Sequence, residues 1–201
     1  MSKKQKIIKV YLDTNLLIHG PEIEGCNKIK DLFYNGMIDL YISVDVKYEQ
    51  ENRSIDHYFN ELRELQENNS FTYDMFSHGQ LIDTIKQQNN LKNSEKSEIL
   101  FWEGCNWKYI ITKYDLFSLL SSIDQSYYNH PITKTCNLFL SVLIDKYKIS
   151  KKDAMHVLHC TLEQIDILLT NDRNFINETR KIPGINFRIM EPKELILEFK
   201  S

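Results

Sequence analysis

Residues Ile7-Ile8-Lys9-Val10-Tyr11-Leu12 form a short, nearly unbroken apolar run rich in β-branched side chains, and Asp13 follows it without a spacer. A strand that is wet on one face would alternate apolar and polar residues. This one reads as buried on both faces, the kind found in parallel sheets covered by helices. Parallel strands need long crossover connections, so such a start commits the chain to alternating strands and helices.

The rest of the sequence alternates in that way. Thr14-Asn15-Leu16-Leu17-Ile18 begins a helical segment. Pro21-Glu22 opens a second one reaching about Tyr34, with Ile23, Cys26, Ile29, Leu32 and Phe33 at helical spacing and Asn35-Gly36 ending it. Leu40-Tyr41-Ile42 is a second strand, and Ser43 is placed to cap a helix carrying Glu49. Beyond Thr135, the residues Leu138, Val142, Leu143 and Tyr147 mark a helix face, and Ile149 to Asp153 turns into a further helix ending near Gln164. Ile165 to Thr170 is a third buried strand with Asn171-Asp172 at its carboxyl end. Phe187 to Met190 is a fourth, and Pro192 is suited to the first position of a last helix. This order predicts an α/β fold, a three-layer sandwich with a mainly parallel central sheet.

Residues 54–135 fit that alternation less well and read as a helical insertion within a single domain spanning 1–201. Trp107 to Thr112 is apolar enough for a strand and is left open. Trp102, Trp107, Tyr109, Tyr127 and Tyr128 make the stretch aromatic, with core packing as the reading and base stacking or anchoring of a partner protein as the alternative.

Composition excludes several classes. At 201 residues and 42% hydrophobic content, the chain can bury a core without disulfides or structural metal. Cys26, Cys105, Cys136 and Cys160 stand singly, with no zinc-site spacing, and read as reduced buried thiols. There is no apolar run near 18 residues, so no membrane partner is expected and the expected location is cytoplasmic. The net charge of −3 weakens a nucleic-acid reading. That charge is uneven, however: residues 54–135 hold seven Lys/Arg against eleven Asp/Glu, net −4, and the remainder is net +1.

Open α/β sheets bind ligands at the carboxyl ends of their strands. Asp13 and Asp172 both sit directly after strands, Asp153 starts the helix that precedes the third strand, and Glu49 lies on the helix after the second. Carboxylates brought together repel unless a cation compensates them. Oxygen ligands of this kind suit Mg²⁺ or Mn²⁺, whose chemistry on phosphodiesters is hydrolysis by in-line displacement. Arg173, Lys151 and Lys152 flank these acids and are candidate contacts to nucleic-acid phosphates, or else solvated surface charge. His156 lies one turn beyond Asp153 and reads as a helix residue packed partly against the core, with a contact supporting an acid or touching substrate as the alternative.

At these positions the chain resembles the PIN-domain nucleases. Val10-Tyr11-Leu12-Asp13-Thr14-Asn15 is similar to the family's opening strand, which ends in Asp-Thr-Asn or Asp-Thr-Ser. Ser43 to Glu49 is similar to the segment placing a second acid six residues after Ser or Thr. Lys152-Asp153-Ala154 and Thr170-Asn171-Asp172-Arg173-Asn174-Phe175 resemble the third and fourth acid segments, and Met190-Glu191-Pro192 resembles the closing strand and helix. The resemblance covers roughly residues 7–53 and 136–200. It implies Asp13, Glu49, Asp153 and Asp172 as catalytic metal ligands for Mg²⁺ or Mn²⁺, with Thr14, Asn15, Thr170 and Asn171 supporting them. It also implies an endoribonuclease, an RNA substrate before a DNA one, and, as in VapC-like toxins, an antitoxin or other regulatory protein as partner; a homodimer is a further expectation. The rival of a different class is an inactive nucleic-acid-binding or assembly module with the same fold.

Overall fold

The computed structural model describes residues 6–43, 102, 105, 108–110, 112–123 and 128–200. Glu49 and the helix expected after Ser43 lie outside the described residues, as do Trp107, Tyr127 and most of the stretch read as an insertion. The described elements run β1 (Ile8–Leu12), α1 (Thr14–His19), a 3-10 turn (Gly20–Glu22), α2 (Cys26–Tyr34), β2 (Ile38–Ser43), β3 (Lys108–Ile110), α3 (Lys113–Ile123), α4 (Pro131–Asp145), α5 (Lys151–Leu162), β4 (Ile167–Leu169), α6 (Arg173–Thr179), β5 (Arg188–Met190) and α7 (Pro192–Glu198).

The strands form one five-stranded sheet in the order β3-β2-β1-β4-β5, every pair parallel. This is the α/β class that the alternation predicts. β1 is central and runs from half-buried Ile8 and Lys9 to fully buried Val10, Tyr11 and Leu12, which is why its sequence is nearly continuous in apolar character. Lys108–Ile110 settles the open question about Trp107 to Thr112, because it pairs with Tyr41–Ser43 at the edge of the sheet.

Strand order fixes where a site can form. From β1 the chain steps outward to β2 and β3, then crosses back to β4 on the other side of β1 and continues to β5. Right-handed crossovers in opposite directions put their helices on opposite faces. α2 packs with α7, while α3, α4 and α5 pack in series. The order therefore reverses between β1 and β4, and the crevice at their carboxyl ends is the switch point that such sheets use for ligands.

Two helix readings need correction. The stretch expected to be helical from Pro21 begins at Cys26 instead, because Gly25 takes a left-handed φ of 96°. A Cβ there would meet backbone atoms of Pro192 and Lys193 at 3.1 Å, so a side chain would be crowded as well as strained where α2 meets α7. In α4, Leu138 and Val142 do not mark the packed face: they are 67% and 40% exposed, and the buried residues are Thr133, Cys136 and Leu143. The four cysteines are free and buried, as the sequence predicts. Among the described residues no helix is long and apolar enough to cross a membrane.

Candidate active site

Asp13 is carried to the switch point by β1. Its amide donates to Leu169 O at 3.0 Å, extending the pairing with β4 by one residue. It then caps α1, and its Oδ1 accepts the Thr14 amide at 2.7 Å. Its Oδ2 accepts Asn15 Nδ2 at 2.9 Å and the Thr170 hydroxyl at 2.6 Å. A carboxylate only 6% exposed would be costly to bury bare, and these donors replace the lost water.

Thr170, fully buried at the end of β4, accepts Asn15 Nδ2 at 3.0 Å and the Asp172 amide at 3.1 Å while it donates to Asp13. One donor and two acceptor sites are then all in use. The Asn171 amide donates to Asn15 Oδ1 at 3.3 Å. Asp172 caps α6, its Oδ1 accepting the Asn174 and Phe175 amides at 2.8 and 3.0 Å. This is ordinary capping chemistry placed beside a buried acid.

Asp153 arrives from the other direction, as the third residue of α5. The Ser150 hydroxyl caps that helix, accepting the Asp153 amide at 3.1 Å and donating to its Oδ2 at 2.7 Å. Burial pushes the Asp153 carboxyl above its ordinary range. The Ser150 bond and His156 oppose that rise, and the charges of Asp13 and Asp172 add to it. The charges of Asp13 and Asp172 thus reach the Asp153 carboxyl.

His156, one turn further along α5, is 1% exposed. Its Nδ1 lies 2.8 Å from the Tyr11 hydroxyl, and its Nε2 lies 3.5 Å from Asp13 Oδ1. It is buried, as the sequence predicts, yet it is packed against an acid of the site. An open cleft of about 380 Å³ borders Asp172, lined also by Asn15, His19, Glu22, Ile23 and Asn171. The wall formed by His19, Glu22 and Ile23 was not foreseen. Its one sequence signal is position, since α1 and the 3-10 turn directly follow Asp13.

The cations stand around this edge. Lys151 and Lys152 are exposed in the first turn of α5. Arg173 Nε donates to Glu191 Oε1 at 3.0 Å, and Lys193 Nζ lies 2.7 Å from Glu191 Oε2. Lys193, with Arg173 assisting and burial opposing, holds the Glu191 carboxyl below its ordinary range.

Asp13, Asp153 and Asp172 offer only hard oxygen donors, which fits Mg²⁺ or Mn²⁺ and does not fit a soft metal. Among the described residues no three acidic, histidine or cysteine side chains close into a ready cage. Mg²⁺ keeps several waters and takes one or two carboxylates, so an open arrangement suits it.

No family model matches the chain, and no curated protein matches it. Among solved structures it is similar to the crystal structure of VapBC2 from Rickettsia felis bound to a DNA fragment from their promoter, at 16% identity and a TM-score of 0.41, over 92% of this chain and 98% of that one.

Proposed function

We propose that this protein is a metal-dependent endonuclease that hydrolyses phosphodiester bonds, with RNA as substrate. The observation that supports the reading best is that Asp13 and Asp172 follow β1 and β4 at the switch point, where the charges of both act on the Asp153 carboxyl from α5. Like charges held together at the ligand-binding edge of a sheet are costly unless they serve a cation.

Asp13, Asp153 and Asp172 would hold Mg²⁺ or Mn²⁺, with Glu49, which lies outside the described residues, as the fourth acid that the sequence resemblance implies. When bound, the ion supplies charge neutralisation and Lewis acidity toward a phosphodiester and an attacking water. The protein's own part is positioning. Thr14, Asn15 and Thr170 fix both oxygens of Asp13, Ser150 fixes Asp153, and the first turn of α6 fixes Asp172 through one oxygen. Lys151, Lys152 and Arg173 hold backbone phosphates, with Arg173 steered by Glu191. A regulatory partner of the antitoxin kind belongs to the same proposal and rests on the sequence resemblance.

The test is incubation of the protein with mixed cellular RNA and Mn²⁺, with Asp13→Asn and EDTA as controls and a matching deoxy-oligonucleotide in parallel. Cleavage of RNA that both controls abolish is the expected result. Absence of cleavage together with absence of Mn²⁺ binding by calorimetry would favour the binding-module reading. Preference for the deoxy-oligonucleotide would move the substrate to DNA.

A further inference from the structure

The buried polar groups beneath the site form a chain that a packing role does not require. Ser43 Oγ at the end of β2 lies 2.7 Å from the Tyr11 hydroxyl of β1, which lies 2.8 Å from His156 Nδ1 of α5. His156 Nε2 in turn faces Asp13 Oδ1 at 3.5 Å. A proton on Nε2 suits the Asp13 carboxylate, which can only accept; in that tautomer Nδ1 is open to the Tyr11 hydroxyl, and the Tyr11 oxygen to Ser43. The series links the end of β2 to Asp13 through α5.

We infer that His156 is a positioning residue for the carboxylate site, setting Asp13 against Asp153 from one turn of a rigid helix. Asp153 and His156 sit three residues apart on α5, on one side of the helix. α5 thus carries one acid and grips the other, and their separation is fixed by helix geometry instead of by a loop. Among the described residues, Asp13 Oδ2 has two hydrogen-bond donors and Oδ1 has the Thr14 amide, and His156 Nε2 faces Oδ1. The Tyr11 ring packs against the imidazole, tilted at 53° with centroids 5.6 Å apart. Groups that orient metal-binding carboxylates typically influence metal affinity or activity by about 10–100-fold.

This inference rests on the carboxylate site's being a metal site, and the experiment separates the two. Mn²⁺ affinity is measured by calorimetry, with thermal melts and RNA kinetics, on the native full chain and on Asp13→Asn, His156→Leu, His156→Gln and Tyr11→Phe. Leucine fills the space without polar atoms, whereas glutamine returns a donor and an acceptor. The expected result is that His156→Leu weakens Mn²⁺ binding by about tenfold or more, that His156→Gln recovers most of it, and that KM for RNA is unmoved. Native affinity in His156→Leu, or no recovery in His156→Gln, overturns the positioning role. If His156→Leu does not fold, Tyr11→Phe decides, since it removes only the hydroxyl that holds the ring: weakened binding supports the role and native binding overturns it. Native binding that is abolished by Asp13→Asn but untouched by the other variants leaves the metal site standing and removes His156 from it. No Mn²⁺ binding by the native chain removes both.

Discussion

Thr170 donates its hydroxyl to Asp13 across a 2.6 Å bond between residues 157 positions apart in the chain. The same hydroxyl accepts the Asp172 amide at 3.1 Å, so one side chain ties the acid after β1 to the acid after β4. Valine at position 170 keeps the shape and deletes these two bonds and the one from Asn15 Nδ2, leaving buried Asp13 short of a donor. Thr170→Val should cost about 1–3 kcal/mol in urea unfolding and lower Mn²⁺-dependent cleavage by roughly tenfold or more. Thr170→Ser keeps the hydroxyl and should stay close to native in both measurements.

His19 lines the cleft from the end of α1 and is exposed, so its removal should leave the fold intact. For His19→Ala, the melting curve should reflect a change within about 0.5 kcal/mol. On the proposed substrate, KM should rise by roughly threefold or more with kcat held, the pattern of lost uniform binding. A fall in kcat at constant KM would place His19 in the chemistry instead of in the cleft wall.

Glu191 carries a pH signature. Its carboxyl is held below the ordinary range chiefly by Lys193, with Arg173 contributing. A lowered folded-state value means the ionised form is favoured by folding. The stability it contributes is therefore complete above the ordinary carboxylate range and is lost as pH falls through the lowered value. Glu191→Gln should be less stable than native near neutrality, and the gap between their denaturation curves should shrink on acidification. A gap that holds constant into acid would show that the ion pairs contribute nothing.

Trp102 is 1% exposed, and its indole Nε1 donates to Leu16 O at 3.0 Å. It fills core volume and anchors the backbone of α1, the helix that follows Asp13. Trp102→Ala should cost about 3–5 kcal/mol by chemical denaturation. A cost under about 1 kcal/mol would mean that the indole does not pack in the core.

All four thiols are buried, and burial pushes the Cys26 thiol up to about 12. The thiolate is the reactive form. Native protein should therefore give almost no rapid reaction with Ellman's reagent at mildly alkaline pH, and four equivalents after denaturation. A thiol that reacts rapidly in the native state would contradict the packing around it.

Much of this was local and therefore legible. A continuous apolar run with an acid at its end is a buried strand entering a polar edge, and Ile8–Leu12 with Asp13 and Ile167–Leu169 with Asp172 behave so. Ser150 and Pro192 start their helices where capping chemistry and a fixed φ put them. Hydrophobic pattern, however, reports only how deeply a residue is buried and with what period. It does not say which neighbour it meets. That limit explains why Leu138 and Val142 of α4 face outward, since several apolar stripes share that helix and the packing of α3 and α5 against it selected another. It also explains β3, whose short pairing with β2 exists only because the sheet offers an open edge there.

Sequence by itself determined the α/β class, the strands at either side of the switch point and the acids at their ends, because these follow from side-chain type and spacing along the chain. Tertiary structure alone decided that β4 lies beside β1, that Thr170 therefore reaches Asp13, and that a core histidine on α5 lies against that same acid. Those contacts span distant segments, and only the closing of helices over both faces of a parallel sheet brings them within bonding distance.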